Sequence, residues 1–431
     1  MAKKANSQRI VILGAGVTGL AAGIKTGAPV YEANSYPGGI CRSYTKKGYR
    51  FEVGGGHWIF GDDQTILKFI KKLSPLKKYQ KKSAVWLVKK NLYIPYPIQN
   101  HLSRLPSKTA EKIKNELAQN HRQAYPPVKT FSQWLEINFG KTLCRLFFFP
   151  FNKAYTAGLY TKTAPQDKFK NPAIQNKKSG YNNTFFYPKN GLSQLIKKMA
   201  EKCRISYHKK VVEINLEKKE ILFADGKKIK YQKIISTLPL NKMVQMTKIN
   251  LHQPPPAYVS VAVVNIGAKK GKKCPSEHWL YLPKSKYGFH RIGFYNNVEK
   301  SFAPGSSENK TSIYVEKSYL GGKKPDSAEI KKFCRCLIKE LRDWQFITGK
   351  PEVVDFNWID VAYTYSRPGS NWEKRALRIL KKNGIIQIGR YGKWRFQGIS
   401  GSIKDGLSVK NRLTSPSAST PGVKSVNPPP G

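Results

Sequence analysis

Arg9-Ile-Val-Ile-Leu13 runs directly into Gly14-Ala-Gly16-Val-Thr-Gly19, and Val30-Tyr-Glu32 comes next. A short apolar strand meets a glycine triplet and then small residues suited to a helix. Gly14 permits the tight turn, Gly16 lets the backbone approach a pyrophosphate, and Gly19 lets helix and strand pack closely. The helix N-terminus offers unpaired N–H groups and a positive dipole end to the phosphates. Glu32 stands sixteen residues after Gly16, where a carboxylate can accept from both ribose hydroxyls. A glycine triplet alone is a weak signal. Strand, triplet, helix and acidic strand end together predict a dinucleotide site in an α/β fold. The crossover is short, so its helix is expected to be about two turns long.

The chain has 431 residues, of which 40% are apolar, enough for two or three lobes. No apolar run reaches the ~18 residues of a membrane span. The start, MAKKANSQR, lacks the apolar segment of a secretory signal. A cytoplasmic location is the default expectation. The six cysteines form no Cys-x-x-Cys pair and no zinc spacing, so free thiols and no metal are expected. Lys and Arg number 77 against 26 Asp and Glu, so the net charge is 77 − 26 = +51. No nucleic-acid reading module accompanies that charge. It fits a lysine-biased or high-salt cytoplasm, steering of an anionic ligand, or peripheral contact with an anionic membrane. Oligomeric state is not encoded in any feature of the sequence.

The residues after Glu32 narrow the dinucleotide. Glu32-Ala-Asn-Ser-Tyr-Pro-Gly38-Gly39-Ile-Cys-Arg42-Ser resembles the stretch found in FAD proteins of the amine-oxidase and phytoene-desaturase class. The resemblance implies non-covalent FAD, a close backbone approach at Gly39 and a phosphate contact for Arg42. Far along the chain, Gly389-Arg390-Tyr-Gly392 succeeds a strand, and Ser402-Ile-Lys-Asp-Gly406 lies just beyond it. A helix beginning near Gly401–Ser402 would turn its positive end to the flavin. Two distant segments closing on one cofactor require a split domain.

The pattern elsewhere gives helices over 62–74, Thr109–Arg122, Thr130–Phe149 and Asp326–Trp344, the last opened by an Asp326/Glu329 capping box. From Val211 the period becomes two, and VVEINL, EILFA and KIKY read as a small antiparallel sheet. Val212, in the first of these strands, is counted among the FAD contacts. The expected fold is a split Rossmann-like FAD-binding domain (1–65, 190–245 and 381–412) with a helical insertion, 66–180, that caps the substrate. An antiparallel β substrate domain spans 246–380, and 413–431 is a disordered tail.

Further motifs resemble those of UDP-galactopyranose mutases, above all the eukaryotic type. They are Gly54-Gly-Gly56-His57-Trp58, Tyr96-Pro-Ile-Gln99-Asn100, Phe149-Pro-Phe-Asn152, Asn182-Asn183-Thr-Phe-Phe-Tyr187 and His278-Trp-Leu-Tyr281 with Arg291. Tyr363-Thr-Tyr365 and Gly389-Arg390 through Phe396 complete the set. The markers keep that family's order over nearly the whole chain. The resemblance implies a redox-neutral exchange of ring size in a UDP-sugar, with reduced FAD as the nucleophile. NAD(P)H or a flavin reductant would keep the cofactor reduced. Arg291 would meet the diphosphate bidentately, with hydroxyl help from Tyr281 and Tyr365. Tyr96, Gln99, Asn152 and Asn183 would hold the nucleotide. His57 and Gly56 would sit against the flavin, and Phe396 stands where that family has a phosphate-binding tyrosine. Arg291 is expected to be an exposed pocket residue whose removal leaves the fold intact.

A rival reading is an FAD oxidoreductase of the amine-oxidase, protoporphyrinogen-oxidase or desaturase type. Such an enzyme needs a long apolar channel, and Phe147–Phe151 is compatible with either reading. Tyr281 and Arg291 could also be an ordinary cross-strand pair, Tyr365 a core tyrosine and Asn152 a cap.

Overall fold

The computed structural model describes residues 10–122, 127–165 and 183–409. Arg9 and the expected tail lie outside them. The fold is mixed α/β. Its first sheet is parallel, in the order Ile385–Gln387, Lys233–Ser236, Ile10–Leu13, Val30–Tyr31, Ile205–Ser206. The central strands read Ile-Val-Ile-Leu and Lys-Ile-Ile-Ser and are buried, as parallel strands covered on both faces require. Three separate stretches of chain thus build one sheet, which is why the glycine turn after Leu13 abuts residues more than 200 positions away.

The crossover helix is Val17–Thr26, ten residues and longer than the two turns expected. It can lie this close to the sheet only because residue 19 is glycine. A Cβ there would stand 1.8 Å from the Gly14 carbonyl oxygen. Helix Ile399–Leu407 packs against it through Gly406, where a Cβ would be 2.4 Å from the Thr18 carbonyl oxygen. This second helix starts two residues before the position read from the sequence, with Gly398 as its N-cap, so Ser402 falls at the end of its first turn.

The second large sheet has seven strands. Its order is Ile347–Thr364, Tyr258–Lys270, Lys310–Leu320, Arg291–Phe294, Trp279–Tyr281, Ser83–Leu87 and Leu92–Pro95. Pairing is antiparallel except between Trp279–Tyr281 and Ser83–Leu87. Helix Ser327–Asp343, with the Asp326/Glu329 capping box, buries Phe333, Leu337 and Leu341 against it. The 18-residue strand Ile347–Thr364 escaped sequence reading. It lies at the sheet edge, where one face meets solvent and Pro351 is tolerated.

Two expectations need correction. The stretch 66–180 is not purely helical. It carries the strands Leu76–Gln80, Ser83–Leu87 and Leu92–Pro95, and the last two extend the large sheet. Nor is Thr130–Phe149 one helix. Phe131–Leu143 is broken at Gly140 (φ 73°), a wide turn spans Cys144–Phe148, and Phe149–Tyr155 completes the segment. Glu116, on the preceding helix Ser107–Arg122, accepts bonds from Thr142 N and Oγ1 at the break. Those bonds compensate for the interrupted ladder. The small sheet Val211–Asn215, Glu220–Phe223, Lys228–Lys230 is as read. Among the described residues no helix is long and apolar enough to cross a membrane.

Gly19→Ala should cost at least about 1–3 kcal/mol, the range for overpacking a filled site, and lower the urea midpoint of unfolding. A midpoint equal to wild type would mean that helix and strand are not in contact at this glycine.

Candidate functional site

Two adjoining cavities of about 330 and 180 Å³ lie between the sheets. The larger is the dinucleotide cleft. Gly14, Gly16, Glu32, Gly39, Gly56, His57, Gly389, Arg390 and Ser402 line it. The smaller is an aromatic chamber walled by Tyr96, Asn152, Tyr281, Arg291, Tyr365 and Phe396, among others. The two share Gly56, Trp58, Phe60, Arg291, Tyr363 and Phe396. A ligand in the chamber would therefore sit directly against whatever fills the inner end of the cleft.

The cleft fits a flavin dinucleotide. Helix Val17–Thr26 opens on it with Gly16 as N-cap, its first N–H groups unclaimed by any side-chain cap. Nothing lies within 4 Å of where a Gly16 Cβ would be, so the cradle is open there. The Glu32 carboxylate is buried. Its Oε2 accepts from Ala15 N at 2.7 Å, and Oε1 accepts from the Asn34 backbone and side chain at 3.0 and 2.8 Å. Those bonds fix the carboxylate at the cleft wall, ready for sugar hydroxyls. Gly389 is tied to the closing helix. Its N–H is held by Asp405 at 3.1 Å, and Asp405 also binds Lys393. The peptide is therefore locked to the closing helix at the cleft wall. Arg390 donates to the Ala362 carbonyl at 2.9 Å, and its guanidinium lies 4.7 Å from the Phe396 ring centroid.

Some expected residues lie elsewhere. Arg42 is not in the cleft wall; it stacks on Tyr36 with the guanidinium carbon 4.0 Å from the ring. Val212 is 42% exposed on its strand and outside the wall. Gln99 is buried and Asn183 is exposed, and neither lines the chamber. Asn152 does line it, and its Nδ2 also donates to the Phe148 carbonyl at 2.8 Å, the local role that sequence could not separate from ligand binding.

Tyr281 and Arg291 are cross-strand partners, and Arg291 is in turn opposite Glu316 on Lys310–Leu320. Sequence reading missed Glu316. Its only signal is an acid inside the apolar strand Ile313-Tyr-Val-Glu316, and its partner is fixed by register alone. Arg291 Nη2 bonds both Glu316 oxygens. The arginine side chain is 22% exposed and the glutamate 1%. Burial alone would raise the Glu316 carboxyl, but Arg291 and then His290 hold it at about 2. The expectation of an exposed arginine that packs little is therefore wrong. The guanidinium is anchored from below, and only part of its donor fork remains for a ligand.

His57 comes directly after Gly54–Gly56 and lines the cleft, between Gly56 and Trp58, which border both cavities. Burial, and then Arg390, pushes its imidazole down to about 4, so it is neutral at physiological pH. Tyr363 and Lys81 also line the chamber and were not assigned roles from sequence. Among the described residues no group of three or more His, Cys, Asp or Glu could hold a metal.

Arg291→Ala should destabilise the protein by roughly 3 kcal/mol, because it leaves a buried carboxylate without its cation. Adding Glu316→Gln should recover most of that loss in a urea titration. A single variant as stable as wild type would show that the pair does not form. For His57, the unfolded imidazole titrates near 6.5 and the folded one near 4. Its contribution to stability is thus full above 6.5 and is lost as pH falls towards 4. An NMR titration of the His57 ring should show no inflection between about pH 5 and 8, and a midpoint near 6.5 would contradict its burial.

Comparison with solved structures places the fold. A structure of reduced UDP-galactopyranose mutase superposes with TM-score 0.83 at 24% identity, over 95% of this chain and 94% of that one. A candidate protoporphyrinogen oxidase from Exiguobacterium sp. 255-15 gives 0.71 at 15%, over 95% and 99%. Putrescine oxidase bound to putrescine gives 0.61 at 15%, over 94% and 98%. These identities establish a shared fold. The sequence profile of the flavin-containing amine oxidoreductases matches residues 20–412, and the dinucleotide form of flavin, FAD, is the cofactor that the cleft accommodates. The chain belongs to the flavin-containing amine oxidoreductase family and is a flavin-dependent enzyme.

Proposed function

We propose that the protein catalyses a redox-neutral pyranose–furanose exchange on a UDP-sugar, in the manner of a UDP-galactopyranose mutase. The observation that carries this reading is the chamber wall. It brings Tyr96, Tyr155, Tyr281, Tyr363 and Tyr365 together with Arg291 and Lys81, and Tyr363 and Arg291 also line the flavin cleft. Five phenols and two cations suit a polyhydroxylated, anionic substrate. A purely apolar substrate would desolvate those groups without replacing their hydrogen bonds, at about 1–3 kcal/mol each.

When bound and reduced, FAD supplies the electron-rich nucleophile that exchange at an anomeric carbon requires. Arg291 stabilises charge developing on the departing diphosphate, and its anchoring by Glu316 keeps the guanidinium in place without reorganisation during the reaction. Tyr281 and Tyr365 donate to the same oxygens. Tyr96 and Asn152 orient the nucleoside, and the surrounding aromatic rings exclude water. His57, neutral, offers the cofactor a donor without adding a full charge.

A second reading, oxidation of an amine or apolar substrate, draws on one observation. Phe131, Phe147, Phe148 and Phe151 make part of the chamber wall wholly apolar.

Dithionite-reduced protein incubated with UDP-galactofuranose should yield the ring isomer without consuming reductant in step with product, and oxidised protein should be inactive. Arg291→Ala, assayed at a temperature where its flavin spectrum is native, should slow turnover by roughly 10²–10³. Hydrogen peroxide formed one-for-one with a consumed amine, and no isomer from any nucleotide sugar, would establish the oxidase reading instead.

A further inference from the structure

Glu52 ends strand Tyr49–Glu52 and is fully buried. Its Oε1 accepts from Ser43 Oγ at 2.8 Å and from the Tyr187 hydroxyl. Its Oε2 is buried and has no hydrogen-bond partner among the described residues. Arg50, two residues back, acts on it through charge alone, and the Arg50 Nη2 donates to Ser301 Oγ at 2.9 Å. An ionised carboxylate here keeps one oxygen dry and unsatisfied, so the neutral acid competes with it. Burial pushes the carboxyl up to about 7, against the opposing pull of Tyr187, Ser43, Arg50 and the Leu192 N–H at the start of helix Leu192–Ala200.

This acid stands directly behind the cofactor cleft. Glu52 precedes Gly56 and His57, which line the cleft, by four and five residues. Its backbone carbonyl is fixed by Asn265 Nδ2 at 2.9 Å and by the Tyr295 hydroxyl at 3.3 Å. The Tyr187 ring that bonds the carboxyl packs edge-on against Trp58, with centroids 5.1 Å apart, and Trp58 lines the cleft. The Cys41 thiol, also on the cleft wall, is raised to about 12 by burial and then by the Glu52 charge. The field of Glu52 therefore reaches the wall. The other groups facing it hold their charge state near neutral pH. Tyr187 and Tyr295 are raised well above the usual phenol range by burial and then by Glu52, and Arg50 stays cationic. His57, held down at about 4, stays neutral.

We infer that Glu52 is a proton acceptor coupled to the redox state of the cofactor: it takes up a proton when flavin in the cleft is reduced and releases it on reoxidation. Two electrons from a dithionite or nicotinamide donor, with one proton on the flavin ring, leave one negative charge in the cleft. A second proton, from solvent, then goes to Glu52, and reoxidation returns both protons and both electrons. Two charges roughly 10 Å apart across protein change each other's proton affinity about 10-fold. A proton held at Glu52 thus offsets the charge of the reduced state without a permanent cation beside the flavin. The inference rests on the flavin cleft and holds for either substrate reading.

Spectroelectrochemical titration of the FAD-loaded protein between about pH 6 and 9 tests it. Glu52→Gln keeps the acceptor for Ser43 and Tyr187 and mimics the neutral acid. The gap between its potential and that of wild type should widen by about 30 mV over this range, the two-electron equivalent of a 10-fold change in proton affinity, with wild type the more negative at high pH. Lys81, lowered to about 8 by burial, lines the chamber and titrates alike in both proteins, so it drops out of the difference. Tyr187→Phe removes a bond that favours the charged acid and should shift the onset of wild-type-like divergence to higher pH. On wild type alone, infrared difference spectra at about pH 8 should gain the carbonyl stretch of a protonated carboxyl on reduction. A gap between wild type and Glu52→Gln that stays constant with pH, or reduction without that band, would overturn the inference.

Discussion

The close packing of helix Val17–Thr26 against helix Ile399–Leu407 is the contact on which the cofactor cleft depends. One helix opens the cleft at the glycine turn, and the other closes it at the far end. They meet where Gly406 leaves room for the Thr18 carbonyl, and any larger residue would push them apart. The same contact brings Gly389 to Thr18, where a Cβ would stand 2.7 Å from the threonine hydroxyl. The Lys393–Asp405 pair and the bond from Gly389 N to Asp405 then hold the segment after strand Ile385–Gln387 onto the closing helix. Cofactor binding is therefore linked to the folding of two segments that lie far apart in the chain, and a ligand that fills the cleft stabilises both at once.

Around that joint the electrostatics are arranged in compensated pairs. Arg291 faces Glu316, Lys393 faces Asp405, and His57 is kept neutral. Burying isolated charges beside the cofactor would cost several kcal/mol each. Pairing lets the site keep fixed dipoles and partial charges where a reaction needs them, and it removes the penalty for holding them dry. Lys81 lines the chamber but not the cleft, and its partial burial is enough to soften its charge. A separate buried acid, Glu52, has its carboxyl pushed up to about 7 by burial and is bonded by Ser43 and Tyr187. It sits just before the glycine loop that presents His57 and ties that loop to the sheet behind it.

Much of the cofactor site was legible because its constraints are local. A tight turn, a close helix–strand contact and an acid at a strand end are each a demand on one residue type at one spacing, and Gly14, Gly16, Gly19 and Glu32 meet them. The capping box at Asp326 and the small sheet from Val211 were readable for the same reason. Arg42 and Val212 fall outside the cleft wall; their expected roles came from family likeness and depend on side-chain direction. Gln99 and Asn183 do not line the chamber, and no local pattern records which side chains a cavity will take.

The sequence by itself determined the α/β class and the dinucleotide cradle, and its likeness to known flavoproteins named the flavin. The class and the cradle rest on backbone geometry or on alternation over a few residues. Only the tertiary structure decided what the chamber is made of. Glu316 meets Arg291 because of strand register between segments separated by a long loop. Lys81 enters the chamber because an ordinary-looking lysine run turns a corner pinned by Asn183 and His278. Gly140 breaks a helix because Glu116, on another helix, can satisfy the freed amide. Burial and charge pairing are properties of neighbours in space, and a linear chain does not state who those neighbours are.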